Sequence, residues 1–352
     1  MADQSITDTD TSANLWASNF QRPGYGYAGW TDKPDWQLNQ NDANGNGTGA
    51  NLGYHIYGPN ETITFTAGQY SDPNPGLSLY AVWVPSQGNL QSWTGCSSMS
   101  QGQVTALTDE RDNDTYAVAK LKDDNCWMIE NLRLDNTAAH NSDGILSQGY
   151  NSSFIGLADP ETADFVFSNS TTANSLYSTD GSTSAPAITG EYPGYRFPRY
   201  INQNTANPAT NMTAWNNNSN TYSVGNWYTW HAAIADTTHY SSGTHNTTSI
   251  CPTGWSIPIG AQSTVNKSFG ALSVALGGPA GGAIANSSST PTGTEMSKVF
   301  RSYPNNFIYS GLFSDSSAIS RGSYGSYWSS TVYGNNYSYD LYLYSSYVYP
   351  IS

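Results

Sequence analysis

The residues whose types could do chemistry are five histidines, three cysteines and a short acidic run, so their spacing is the first test. In TDERDNDTY, Asp109, Asp112 and Asp114 resemble the start of a calcium loop. An EF-hand would also need a glycine at its sharp turn and a closing glutamate, and both are missing. The stretch therefore reads as a polar turn leading into a strand. His55, His140, His231, His239 and His245 are scattered through polar segments. His239 and His245 could share a loop, but two ligands without a third do not make a metal site. Cys96 and Cys126 flank one segment, where a bridge and two free thiols are both open, and Cys251 is left over. No CxxC pair or Cys/His cluster suggests zinc. There is no GxSxG elbow, P-loop, HExxH or GxGxxG in a strand–turn–helix setting. The expectation is a non-enzyme with no catalytic residue, no identified cofactor and no metal ligand set, a structural calcium ion remaining an open option.

Binding chemistry is concentrated instead in the last stretch, YWSSTVYGNNYSYDLYLYSSYVYPIS, which has no Lys, Arg or Glu. From Tyr337, alternate positions give Tyr337, Tyr339, Leu341 and Leu343 on one side. Ser338, Asp340, Tyr342 and Tyr344 fall on the other. Period-two alternation predicts a strand with the leucines inward and Asp340, Tyr342 and Tyr344 outward. YSSYVYP then turns into another strand, with Val348 inward and Tyr347 and Tyr349 outward. Tyrosine offers a large contact area with little rotamer entropy to lose, and Ser, Gly and Asn let it approach a partner. The expected ligand-binding set is Tyr333, Asn335, Asn336, Tyr337, Asp340, Tyr342, Tyr344, Ser346, Tyr347 and Tyr349, flanked by Tyr324 and Tyr327. Its expected scaffold is Trp328, Leu341, Leu343 and Val348.

Elements able to position such a face must come from a chain of 352 residues with only 11% charged and 13% aromatic residues. The aromatic content argues for a folded chain, and the abundance of Gly, Ser, Asn and Thr for short strands among turns and long loops. A formal net charge of −14 disfavours nucleic acid as a partner, since that binding depends on Lys and Arg meeting phosphate. No apolar run approaches the length needed to span a bilayer. The opening MADQSITDTDT has neither a basic nor an apolar signal region and is not expected to direct export.

Two segments separate by their punctuation. Residues 1–85 contain RPGYGYAGW, ITFTAGQY and LYAVW, which read as short strands between Gly/Pro turns. Residues 86–91 read as a linker, and 92–352 as a larger domain whose variable segment covers about 322–352. Within it, TYAVAKL and CWMIENL predict a hairpin turning at KDDN. GNWYTWHAAIADT predicts a short amphipathic helix with Trp227, Trp230, Ala233 and Ile234 on one face. FGALSVALGG predicts a helix stopped by Gly277 and Gly278. Trp127, Trp230, Trp255 and Trp328 are expected in the core, because aromatic area must hold together a domain poor in Leu and Ile.

These motifs carry resemblances. GYGYAGW followed by LYAVW resembles the Listeria–Bacteroides repeat, a small β-grasp-like module of internalin-type surface proteins, although its usual opening strand with an Asn-Gly-Gly turn is not evident. DERDNDTYAVAKL…CWMIENL, CPTGWSIP and YWSST together resemble the Fibrobacter major-paralogue domain, related to C-type lectin-like and formylglycine-generating-enzyme folds. The latter enzymes use cysteine-based copper chemistry, for which this chain has no matching cysteine motif. The family's closing strand, ending near Ser-Val-Arg-Cys-Val, would supply a cysteine partner for Cys251; here the sequence reads YVYPIS. A C-type lectin-like domain with such a segment also resembles the variable proteins of diversity-generating retroelements. There, adenine-directed mutagenesis turns AAC-type codons into Tyr, Ser, Asp, Gly or His codons but never stops.

The resemblances imply an α+β fold: a C-type lectin-like domain with short strands, few helices and long loops, preceded by a small β-grasp-like module. They imply a hypervariable receptor at the cell or virion surface, or otherwise extracellular, binding a protein or cell-surface ligand. The alternatives are a non-diversified structural or adhesive cell-envelope protein and a carbohydrate-binding lectin-like domain.

Overall fold

The computed structural model describes residues 9–15, 22–32, 55–69, 76–111, 113–132, 200–201, 227–228, 230–234, 242–247, 249, 251–260, 265–286, 290–314, 317–320, 322–334 and 337–350. Before the chain's midpoint it forms β1 (Ser12–Asn14), β2 (Tyr25–Thr31), β3 (Ile56–Tyr57), β4 (Thr62–Thr64), β5 (Tyr80–Asn89), β6 (Val104–Thr108), β7 (Thr115–Lys120) and β8 (Cys126–Met128). Beyond it come β9 (Tyr200–Ile201), β10 (Trp227–Tyr228), α1 (Trp230–Ile234), α2 (Phe269–Ala275), β11 (Ile284–Ala285) and α3 (Gly293–Arg301). The chain closes with β12 (Leu312–Ser314), β13 (Ser317–Ile319), β14 (Tyr324–Gly334), β15 (Tyr337–Tyr344) and β16 (Tyr347–Tyr349). This is a sheet-rich α+β fold with few helices among the described residues.

Two sheets dominate, one of six strands in the order β3-β2-β5-β6-β7-β8 and one of four in the order β11-β16-β15-β14. Residues 86–91, read in the sequence as a linker, are instead the end of β5 and the 3-10 turn after it. The first half of β5 pairs antiparallel with β2, and its second half runs parallel to β6 through Ser86↔Ala106 and Asn89↔Thr108. The polar, Gly-containing SQGN stretch is thus held by neighbours that its local composition does not reveal.

Inner residues from both halves of the chain share one core. Ala28, Ile56, Val82 and Val84 join Val104, Ala106, Ala117 and Ala119, then α2, α3 and the inner face of the four-stranded sheet. β7 is buried on both sides: Ala117 and Ala119 enter this core, while Tyr116 and Val118 pack with Leu90 and Leu107 in a second cluster. The predicted hairpin is present, with β7 and β8 antiparallel through Val118↔Met128 and Lys120↔Cys126. Cys96 and Cys126 form a disulfide, and Cys251 is a free thiol whose pKa burial pushes up.

Polar contacts close the joint between residues 1–85 and the later chain. Glu130 Oε2 accepts from Tyr27 N at 2.9 Å and Ala117 N at 2.7 Å, tying β2 to β7. The guanidinium of Arg301, at the end of α3, donates to the Asn60 carbonyl and to Thr62 Oγ1 and lies over the Tyr309 ring. Asn60 Oδ1 accepts from Tyr309 N at 2.8 Å, and Asn306 Nδ2 donates to Ala28 O at 2.8 Å. Gly58 is required at this contact, since a Cβ there would sit 2.0 Å from Arg301 O.

The helices follow local rules. Ser268 caps α2 by accepting from Ala271 N, and Gly277 takes φ +98° just beyond it, as the sequence predicts. Thr292 and Glu295 form a capping box on α3. The helix expected over 225–237 is shorter: α1 covers Trp230–Ile234, while Trp227 and Tyr228 pair with β9 as β10. Strand pairing took the aromatic WY dipeptide, whose β propensity competes with its place on a helical face. No helix among the described residues is long and apolar enough to cross a membrane.

Candidate ligand-binding face

Two antiparallel registers fix which tail side chains share a face. β14 pairs with β15 through Tyr324↔Tyr344, Gly325↔Leu343, Ser326↔Tyr342, Tyr327↔Leu341 and Trp328↔Asp340. β15 pairs with β16 through Tyr342↔Tyr349, Leu343↔Val348 and Tyr344↔Tyr347. Directly opposed residues lie on the same side of a sheet. One face therefore carries Tyr327, Leu341, Leu343 and Val348. The other carries Tyr324, Ser326, Trp328, Asp340, Tyr342, Tyr344, Tyr347 and Tyr349.

The first face is the core face. Leu341, Leu343 and Val348 are each 0% exposed, packed against α3 and the rest of the main core, as expected for the scaffold. Tyr327 belongs with them and not with the ligand-facing set. Its hydroxyl donates to Ile308 O at 2.7 Å and accepts from Ile308 N at 2.8 Å, and its ring meets Phe307 edge-on. Burial pushes its pKa up to about 12.

The second face is tyrosine-rich and graded in depth. Tyr344 is 44% exposed and Trp328 36%, while Tyr342, Tyr347 and Tyr349 are half-buried. Trp328 was expected in the scaffold; its pairing with Asp340 puts it on the outer side instead. Tyr324, though on this side, is only 2% exposed, because the rings of Tyr342 and Tyr344 lie 5.3 and 4.6 Å from its own. Further ring contacts join Tyr344 to Tyr347 and Tyr347 to Tyr349. Ser346, in the turn between β15 and β16, is exposed as expected.

Asp340 was expected to point outward, and by register it does, yet it is 4% exposed. Its neighbours on that side, Trp328 across the strand and Tyr342 two residues on, are large enough to cover it. Ser326 Oγ donates to its Oδ2 at 2.7 Å. Burial is the main cause that pushes the Asp340 carboxyl up to about 7, only partly offset by that hydrogen bond. Ser326 was missed in the sequence. Its position two residues after Tyr324, which was expected on the ligand side, was the available signal, since residues two apart share a face.

Past a bulge after Trp328, the far half of β14 is held by small polar residues. Trp230 Nε1 donates to Ser329 O at 2.8 Å, and Ser329 Oγ to Tyr339 O at 2.7 Å. Thr331 Oγ1 accepts from Gly260 N and meets His245 Nδ1 at 2.6 Å, so this histidine serves the strand. Tyr333, at the strand's end, is 56% exposed and touches the Tyr339 ring edge-on. Tyr337 opens β15 opposite Gly334, and Asn335 and Asn336 lie outside the described residues.

The other candidate sites resolve into structure. Asp109 forms a fully buried ion pair with Arg111 and accepts from Gln91 Nε2, while Asp112 lies outside the described residues. Asp109 N and O close the turn with Asp114 and Asn113, the polar turn predicted from TDERDNDTY. His55 approaches Glu61 at 3.9 Å on the surface, and His140 and His239 lie outside the described residues. Among the described residues, no three His, Cys, Asp or Glu side chains are grouped to hold a metal ion. Trp127 stacks on Phe269 and donates to Asp123, and Trp255 stacks on Trp93 and donates to Leu90 O, both packing as expected.

No protein-family model, no curated protein and no solved structure matches the chain.

Proposed function

We propose that the chain is a non-enzymatic, surface-displayed ligand-binding protein, with a C-type lectin-like scaffold that presents the outer face of β14–β16 to a protein or cell-surface ligand. In this reading it is a hypervariable receptor of a diversity-generating retroelement, and residues 1–85 are an internalin-type adaptor docked on the receptor. The observation that carries the proposal is the division of one sheet. Leu341, Leu343 and Val348 are sealed in the core, while Trp328, Tyr342, Tyr344, Tyr347 and Tyr349 lie on the opposite side with exposed area. A rigid apolar floor beneath adaptable Tyr and Ser side chains is the chemistry of binding loops. The Cys96–Cys126 disulfide favours an oxidising, extracellular setting.

Surface display of chains randomised at Trp328, Tyr333, Tyr344, Ser346, Tyr347 and Tyr349 tests the reading. Most members should stay protease-resistant, and selection on an unrelated protein such as lysozyme should yield binders. Randomising Leu341, Leu343 and Val348 should abolish protease resistance. Equal intolerance at both sets overturns the display reading. Differences between sibling gene copies should fall on the outer set beside a reverse-transcriptase gene; their absence removes the retroelement.

A non-diversified structural or adhesive role is the second reading, and the ring contacts linking Tyr324, Tyr342, Tyr344, Tyr347 and Tyr349 favour it. On that reading Tyr342→Ser lowers stability more than binding.

A further inference from the structure

Asp340 is the one carboxylate or other charged side chain between residues 324 and 350. It sits in the middle strand of the outer face, and its position there is chemically costly. A carboxylate can accept about four hydrogen bonds. Among the described residues, the side-chain donor it meets is Ser326 Oγ, at 2.7 Å. A buried charge is normally paired, and the stretch 324–350 has no Lys, Arg or His that could pair it. Contrast Asp109, equally buried, which has Arg111 as a forked partner. Among the described residues, then, Asp109 has an ion-pair partner and Asp340 has none.

Besides Ser326, two neighbours of Asp340 on the outer side are aromatic. Trp328 opposes it across the strand and is 36% exposed, and Tyr342 follows on the same side. Aromatic faces attract cations, and desolvation strengthens that attraction. The chain's net charge of −14 adds a field of the same sign. Resting on the display reading above, we propose that this part of the face takes a basic side chain, lysine or arginine, presented by a protein ligand. The cation would contact Asp340 at its base and Trp328 and Tyr342 at its flanks. A neutral sugar could hydrogen-bond the carboxyl but would supply no opposite charge to it.

Selection of a displayed random-peptide library on the full chain tests this. Enriched peptides are resynthesised with each arginine replaced by citrulline and each lysine by acetyl-lysine, and measured against the parent protein, Asp340→Asn and Tyr344→Ser. The expected result is a basic residue whose neutralisation weakens binding about ten- to hundredfold, the scale of a charged hydrogen bond. Asp340→Asn should cause a similar loss and abolish the difference between arginine and citrulline. Peptides that lose binding in Tyr344→Ser but carry no required basic residue, and bind Asp340→Asn normally, overturn the proposal and leave the display reading standing. Peptides insensitive to Tyr344→Ser and Asp340→Asn alike overturn both. Circular dichroism of each variant separates lost binding from lost fold.

Discussion

Ser326 and Asp340 face each other diagonally across β14 and β15, joined by a 2.7 Å hydrogen bond on the sheet's outer side. The bond is short, but it does not compensate for the water that Asp340 has lost. Its carboxyl sits at about 7 instead of the ordinary 3.8, with burial as the leading cause. Asp340 is therefore a place where the fold gives up stability at neutral pH.

That relationship sets a pH dependence. The folded state holds the Asp340 proton more tightly than the unfolded chain, so between about pH 4 and pH 7 the native protein binds more protons. Stability from this group is greatest below about pH 4, falls as pH rises, and levels off above about pH 7. The span corresponds to roughly 4 kcal/mol. Asp340→Asn should raise the urea midpoint at pH 8, change it little at pH 4, and flatten the profile between. Parallel profiles for the two proteins would refute the assignment.

Face and floor should separate in stability measurements. Leu341→Ala removes a fully buried side chain from the main core and should cost about 2 to 5 kcal/mol. Tyr344→Ser, on a residue 44% exposed, should cost far less, on the order of 1 kcal/mol, from lost ring contacts with Tyr324 and Tyr347. Denaturant titration of both variants checks the order. A Tyr344→Ser loss as large as that of Leu341→Ala would make the tyrosine face part of the core.

Much of the floor was legible because a strand's own alternation encodes it: Leu341, Leu343 and Val348 needed no knowledge of their neighbours. Which residues of β14 share the outer side depends on its register with β15, and that register is a tertiary fact. So Trp328 was misplaced inward and Tyr327 outward, each by a face that one-residue parity decides. Tyr324 fails differently: its side is outer, but neighbouring rings cover it. Residues 86–89 looked like a linker because their partner, β6, lies beyond a turn and pairs in parallel. Local composition carries no trace of that pairing.

Arg301 should control whether the two halves of the chain unfold together. It is 2% exposed, donates to Asn60 O and Thr62 Oγ1, and burial lowers its pKa. Arg301→Ala strands the Asn60 carbonyl and leaves a cavity against Tyr309, so a loss of about 3 kcal/mol or more is expected. Calorimetry of the parent should show one main transition, because Ala28, Val82 and Val84 lie in the same core as Leu341 and Phe300. In Arg301→Ala the N-terminal half should become the first site of protease cleavage. Two resolved transitions in the parent would mean that the shared core does not couple the halves.

The disulfide yields the last test. Cys96 and Cys126 close a loop with a sequence separation of 30, and chain-entropy reasoning assigns such a link roughly 3 to 4 kcal/mol. The bond also anchors the 3-10 turn at Gly95–Ser98 to β8, beside the cluster of Leu90, Leu107, Tyr116 and Val118. Reduction, or the double variant Cys96→Ala/Cys126→Ala, should lower the unfolding free energy by that amount, read as a lower denaturant midpoint at unchanged slope. Cys251→Ala should leave two features of the parent in place: the drop on reduction and the absence of thiol reactivity at Cys96 and Cys126. Thiol labelling followed by peptide mapping reads the pairing directly. Labelled Cys96 with protected Cys251 in the unreduced protein would overturn it.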